Sequence, residues 1–214
     1  MKKVLSMIFC CALFCTLSVP AFATYSGTSV AKQIEAGIDT ERFTVQEIES
    51  GNVPDNVVAM EFDTVEEAVA WVNSLSEIIP QVKAQSSIPG YEWKGDVGWL
   101  GSAPIPEDEW GTITYALEYE VPGLSAQVVT ADHYFEYENN KVVDWSVYTE
   151  ISGIGLATYN QTYDHLEKVD TGYSMHYVGS CVGYLGYYIS VGGTNIGVYE
   201  QLELSHSLYH YYGN

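Results

Sequence analysis

His206 and His210 stand four residues apart, the spacing at which two imidazoles on one helical turn share a metal ion. Leu202, Leu204, His206, Leu208, His210 and Tyr212 alternate, however, and a period of two belongs to a strand. Four strand residues separate two backbones by ~13 Å, too far for one zinc at ligand distances of about 2 Å. The pair reads as two packed histidines, and no metal site is expected. His133, with Asp132 beside it and Glu136 nearby, suggests acid–base work. Neighbouring side chains on a strand point to opposite faces, so His133 turns away from Asp132. It is expected in the core, hydrogen-bonded and next to Trp145. His165 and His176 have no recognisable partner in the sequence.

Cys181 shares an alternating face with Met175, Tyr177 and Leu185 in an almost uncharged stretch. A nucleophilic thiol needs a nearby base and a depressed pKa. The surrounding residues supply neither, so a buried, inert thiol is expected. Glu107-Asp108-Glu109 follows Pro104 and Pro106 as an exposed loop, without the alternating carboxylates and central glycine of a calcium loop. Gly153 to Gly155 lacks the strand–loop–helix context of a phosphate cradle, and the serines lack a nucleophile-elbow pattern. Paired carboxylates could hydrolyse a glycoside, but among 28 acidic residues some close pair is nearly inevitable. No catalytic residue, metal or cofactor is assigned on these grounds.

One constellation remains. Trp93, Trp99 and Trp110 lie in a stretch punctuated by Gly90, Gly95, Gly98, Gly101, Pro104, Pro106 and Gly111. Exposed indoles on loops stack on sugar rings or anchor protein partners, because they bury large area at low entropic cost. The competing fate is to fold back over the core. These three are the candidate ligand-binding residues.

The chain that must position them begins with an export signal. Lys2 and Lys3 precede an apolar run from Val4 to Val19, and Pro20 leads into Ala21-Phe22-Ala23, a small-x-small cleavage pattern. That is a secretory signal peptide over residues 1–23, with cleavage after Ala23. The apolar run is shorter than the roughly 20 residues of a spanning helix, and no second one follows. No integral membrane span is therefore expected in the mature chain. Cys10, Cys11 and Cys15 leave with the leader, so Cys181 stands alone and no internal disulfide is available. Loss of Lys2 and Lys3 leaves six basic against 28 acidic side chains, a net charge of about −22. Nucleic acid and anionic membrane require a basic footprint and are excluded as partners.

Organisation changes along the chain. Phe43, Val45 and Ile48 suggest a strand, and Val57 to Phe62 a second. Asp63 with Glu66 forms a capping-box-like start to a helix whose stripe runs through Val65, Ala68, Val69, Val72, Leu75, Ser76 and Ile79 until Pro80. Residues 80–91 read as a linker or crossing loop. Beyond them the helical period disappears. Ile113 to Val121 alternate, as do Val129 to Tyr137 and Val143 to Val147. A two-residue Asn139-Asn140 loop would pair Glu136 with Val143 and put carboxylates on the apolar face. A three-residue loop with Asn140 left-handed avoids this and is expected. Further strands are expected at Ala157–Tyr163, Tyr173–Tyr184, Tyr187–Val191 and Val198–Tyr212, with a turn at Gly192–Asn195.

From Thr171 to Asn214 the only charged side chains besides histidines are Glu200 and Glu203, among nine tyrosines. These read first as strand residues and second as a tyrosine-rich binding surface. The fold class is α+β, mainly β: a small strand–helix segment (24–90) precedes an antiparallel sandwich or barrel-like part (91–214), as one domain or two. The function expected is that of a secreted, non-enzymatic module binding a glycan or protein surface. A secreted carboxylate-dependent hydrolase and a structural or effector protein are the alternatives.

Overall fold

The computed structural model describes residues 29–49, 51–55, 57–78, 82–86, 92–94, 102–107, 109–124, 127–153 and 155–212. Residues 1–28, where the signal peptide is expected, lie outside these residues, as do Pro80 and Trp99. The architecture is a mainly antiparallel β-sandwich, with two helices among the described residues. In chain order the elements are α1 (Val30–Glu35), β1 (Phe43–Ile48), β2 (Met60–Phe62), α2 (Val65–Glu77), β3 (Val82–Ser86) and β4 (Glu92–Lys94). There follow β5 (Ser102–Pro104), β6 (Trp110–Glu120), β7 (Val128–Glu138), β8 (Lys141–Ser152), β9 (Ala157–Asp170), β10 (Ser174–Val191) and β11 (Thr194–Tyr211).

One sheet has the order β4-β3-β6-β7-β8. The other is built on the β10–β11 hairpin, two 18-residue strands joined at Gly192-Gly193. Both glycines have positive φ, as a tight two-residue turn requires. β9 and β2 flank β10, while β1 and β5 flank β11. Tyr173–Tyr184 and Tyr187–Val191, expected as two strands, are therefore one. The expected linker at 80–91 is corrected as well: β3 lies within it and pairs with both β4 and β6. Its Val82 is buried and supplies the apolar contact that makes a strand worth forming.

α2 begins one residue later than the sequence pattern indicates. Thr64, not Asp63, is the N-cap; its hydroxyl accepts from the Glu67 amide, and the Glu67 carboxylate accepts from the Asp63 amide. This resembles a capping box shifted by one position, except that the Glu67 carboxylate reaches the amide just before the N-cap. The helix buries Ala68, Val72 and Leu75 against the same core as Phe43 of β1, Leu117 and Tyr119 of β6, and Leu185, Tyr187 and Ile189 of β10. Trp71 packs edge-on to Tyr187 at 5.9 Å between ring centres. Arg42 fastens this end: its guanidinium donates to Glu200 at 2.6 Å and to the Ser76 carbonyl at 3.2 Å.

The far end of the sandwich closes over Ile113, Tyr115, Phe135, Tyr137 and Val142 from one sheet, with Tyr177 and Leu208 from the other. Each fully buried large apolar side chain contributes ~2–3 kcal/mol, and the described part of the chain is held by such packing, its one described cysteine, Cys181, being free. Trp145 crosses between the sheets where β10 carries Gly179; a Cβ there would overlap the indole and touch Phe135. Among the described residues, no helix is long and apolar enough to cross a membrane.

Candidate functional site

The strongest surface feature lies where β6, β7 and β8 end. On these strands the inward rows are Ile113–Phe135–Trp145 and Tyr115–His133–Val147. The outward rows alternate with them: Trp110–Glu138–Lys141, Thr112–Glu136–Asp144, Thr114–Tyr134–Ser146, Ala116–Asp132–Tyr148 and Glu118–Thr130–Glu150. Trp110 is 77% exposed, and its indole stands over an open groove of about 560 Å³. Glu109, Glu136, Glu138, Asn139 and Val143 share that groove. Gly111 lets the Tyr137 ring pass beneath; a Cβ there would collide with the phenol.

The hairpin beside the groove differs from the three-residue loop expected. Its loop has two residues, Asn139 and Asn140, with φ of 50° and 61°. Asn140 is left-handed as expected, and Asn139 is too. Glu138 pairs with Lys141 and Tyr137 with Val142; a bulge then skips Val143, so that Glu136 pairs with Asp144 and Phe135 with Trp145. Val142 is buried, and Val143 turns outward, 58% exposed. The carboxylates stay off the apolar face, as burial demands, but a bulge achieves it instead of the loop. The Asn139 amide donates to the Glu109 carbonyl at 2.8 Å, tying the turn to the groove's other wall.

Trp93 and Trp110 do not meet at one point of the backbone. Trp93 lies in β4, opposite Ala84 of β3, which in turn stands opposite Leu117 of β6. Leu117 is seven residues along β6 from Trp110, about 23 Å. Trp99 falls outside the described residues. Trp110 is thus the candidate whose indole has a described setting. Glu109, Glu136, Glu138 and Val143, which share its groove, were missed. The signal for Glu136 and Glu138 was the polar half of the same alternation that identifies the core.

The histidines divide into buried and peripheral. His133 and His206 are both fully enclosed between the sheets, and the His206 ring lies 3.7 Å from that of Tyr115. The hydrogen bonds expected for His133 are absent: neither nitrogen of either imidazole has a partner among the described residues. Burial lowers the His133 pKa to about 4. Burial first, and the neighbouring His133 second, lower that of His206 to about 3. Both rings are neutral at pH 7. His210 sits near the end of β11 against Tyr212, away from His206, and the described residues hold no cluster of three metal-ligating side chains.

The outer face of the other sheet carries a second groove, of about 400 Å³, lined by Glu167, His176, Val178, Ser205 and Ser207 among others. Beside it the Ser174 hydroxyl lies 3.0 Å from Nε2 of His176. A nucleophile must present its oxygen to a substrate. Ser174 instead is 4% exposed and shares its hydroxyl with Thr171 at 2.9 Å, closing the β9–β10 turn. Cys181 is fully buried, its thiol 3.4 Å from the Leu204 carbonyl, and burial pushes its pKa up to about 11. Of the tyrosines from Thr171 onward, Tyr177, Tyr187 and Tyr188 are buried, while Tyr173, Tyr184 and Tyr211 are exposed.

No protein family matches the chain, and neither does any curated protein or solved structure.

Proposed function

We propose that the mature chain is an exported, non-enzymatic recognition module that engages its partner through the surface around Trp110. The observation that carries this is the Trp110 indole, 77% exposed on the rim of an open groove. The packing of the other described indoles gives the contrast: Trp71 lies against Phe62 and Tyr187, and Trp145 against His133 and Phe135. A large rigid ring held out of the core on a strand terminus contributes contact area at small entropic cost, which suits an anchor. The groove's walls are polar, with carboxylates and an asparagine able to accept or donate hydrogen bonds. Against a hydrolase, Ser174 is engaged in its turn, Cys181 is enclosed, and the buried carboxylate of Glu200 is paired with Arg42.

The test is a thermal-shift screen of the purified chain beginning at Thr24 against cell-wall and plant glycans, calcium and zinc. A native-state ligand raises the melting temperature. The expected result is a ligand that stabilises the wild type and leaves Trp110→Ala unshifted. A ligand that stabilises both proteins equally would overturn the proposed site, and turnover of that ligand would overturn the non-enzymatic assignment. Export is checked by the mass of the protein recovered outside the cell, which should match a chain starting at Thr24.

A further inference from the structure

We infer that the partner presented to this face is cationic: an extended, lysine- or arginine-rich segment of another protein, lying along β7 with one basic side chain over Trp110. The inference rests on the recognition role proposed for Trp110 and names the chemistry of what is recognised. It starts from an unpartnered sheet face. The outward side of β6, β7 and β8 exposes Trp110 with Val143 beside it in the groove, then Tyr134 at the level of Thr114 and Tyr148 at the level of Ala116; nothing covers these side chains among the described residues.

Charge selects the occupant. By register the same side carries Glu92, Glu118, Glu120, Asp132, Glu136, Glu138, Asp144 and Glu150, against Lys83, Lys94 and Lys141. Lys83 is committed to Glu120 at 2.6 Å. Glu109, Glu136 and Glu138, the carboxylates of the groove, form no ion pair with any described residue. An anionic partner is repelled by such a face, and a neutral one leaves the carboxylates unanswered. An indole face flanked by carboxylates attracts an ammonium or guanidinium twice over, through the ring quadrupole and through opposite charge.

Geometry selects an extended segment. Outward side chains on one strand repeat every ~7 Å, so Asp132, Glu136 and Glu138 stand at strand-like intervals along β7. Alternate side chains of an extended peptide repeat at the same interval and meet them in register. The bulge contributes directly, because it turns Val143 outward into the groove beside Trp110. The stems of lysine and arginine are apolar and can lie on Val143 and Tyr148 while their charged ends reach the carboxylates.

The test is fluorescence anisotropy of a labelled octapeptide with lysine at alternate positions, titrated with the mature protein at 50 and 300 mM salt. Binding should weaken at least tenfold at the higher salt, since exposed charge pairs are screened. Trp110→Ala, and separately Glu136→Lys with Glu138→Lys, should each reduce affinity at least tenfold. A control that reverses Glu41, Glu47 and Glu66, exposed carboxylates away from this face, should change it less than twofold. Equal losses in the control and the site variants would reduce the interaction to bulk charge and overturn the inference. Absence of binding would overturn it too, as would a peptide insensitive to Trp110→Ala. Either result can coexist with a glycan that stabilises wild type but not Trp110→Ala, so failure here is distinguishable from failure of the recognition role itself.

Discussion

Lowering the pH from 7 to 5 takes an unfolded histidine, with its ordinary pKa near 6.5, from mostly neutral to mostly charged. His133 and His206 cannot follow while the sandwich is closed. Their folded pKa values, about 4 and about 3, lie below the unfolded value. The unfolded chain therefore binds more protons than the native one, and stability falls as pH falls. Their contribution is whole above the unfolded pKa and is lost progressively from about pH 6.5 down through the folded values. Between pH 7 and pH 5 each histidine removes ~2 kcal/mol, about 4 kcal/mol for the pair. That is a large part of the ~5–15 kcal/mol typical of a domain. Acidification also shrinks the negative charge towards the isoelectric point near 4.3, which relieves self-repulsion and acts in the opposite sense.

A paired comparison separates the two effects. Urea unfolding of wild type and of the double variant His133→Leu with His206→Leu, each at pH 7 and pH 5, shares the carboxylate background. The difference between their pH effects isolates the imidazoles. The wild type should lose about 4 kcal/mol more than the variant over this interval. At pH 7 the variant should be no less stable than its lost packing implies, because the nitrogens it removes have no hydrogen-bond partners to lose. Equal pH dependence in the two proteins would refute the assignment of both rings as buried and neutral.

Two further outcomes follow from single buried side chains. Gln127 accepts from the Leu156 and Ala157 amides at 3.0 Å and donates to the Ala157 carbonyl at 3.1 Å, bracing the β8–β9 connection. Gln127→Ala leaves these backbone groups unanswered and should cost about 3 kcal/mol in urea unfolding, without altering peptide binding. Cys181 should not react with Ellman's reagent at pH 8 until denaturant is added, its rate tracking global unfolding, since the thiol is both enclosed and undissociated.

Much of the fold was legible because burial writes itself into alternation. Ile113 to Val121 and Val129 to Tyr137 are strands facing one core, and Leu202 to His210 behaves as the same pattern predicts. What escaped were features that alternation does not carry. β3 has the sequence Val-Lys-Ala-Gln-Ser, one strong apolar residue in five, and its pairing with β6 comes from the tertiary fold. The shift of the helix cap from Asp63 to Thr64 turns on a choice between adjacent residues that are both good caps. The missing hydrogen bonds of His133 could not be read either, because they depend on which side chains the opposite sheet sends into the same layer.

The β7–β8 hairpin joins the legible to the illegible. Carboxylates on the apolar face would each face a desolvation penalty, so the register must keep Phe135 and Trp145 inward and Glu136 and Asp144 outward. Loop length and a bulge can each absorb the one-residue mismatch. Asn139 and Asn140 both tolerate positive φ better than most residues, which makes the tight two-residue turn accessible and transfers the correction to Val143. A three-residue loop would have kept Val143 on the apolar face. The tight turn instead turns it outward beside Trp110 while leaving Asp144 level with Glu136. The turn chemistry of two asparagines thus decides what the surface groove contains, although neither residue belongs to the core whose pattern revealed the strands. Register correction and the composition of the candidate site are one structural event, and a change at Asn139 or Asn140 acts on both.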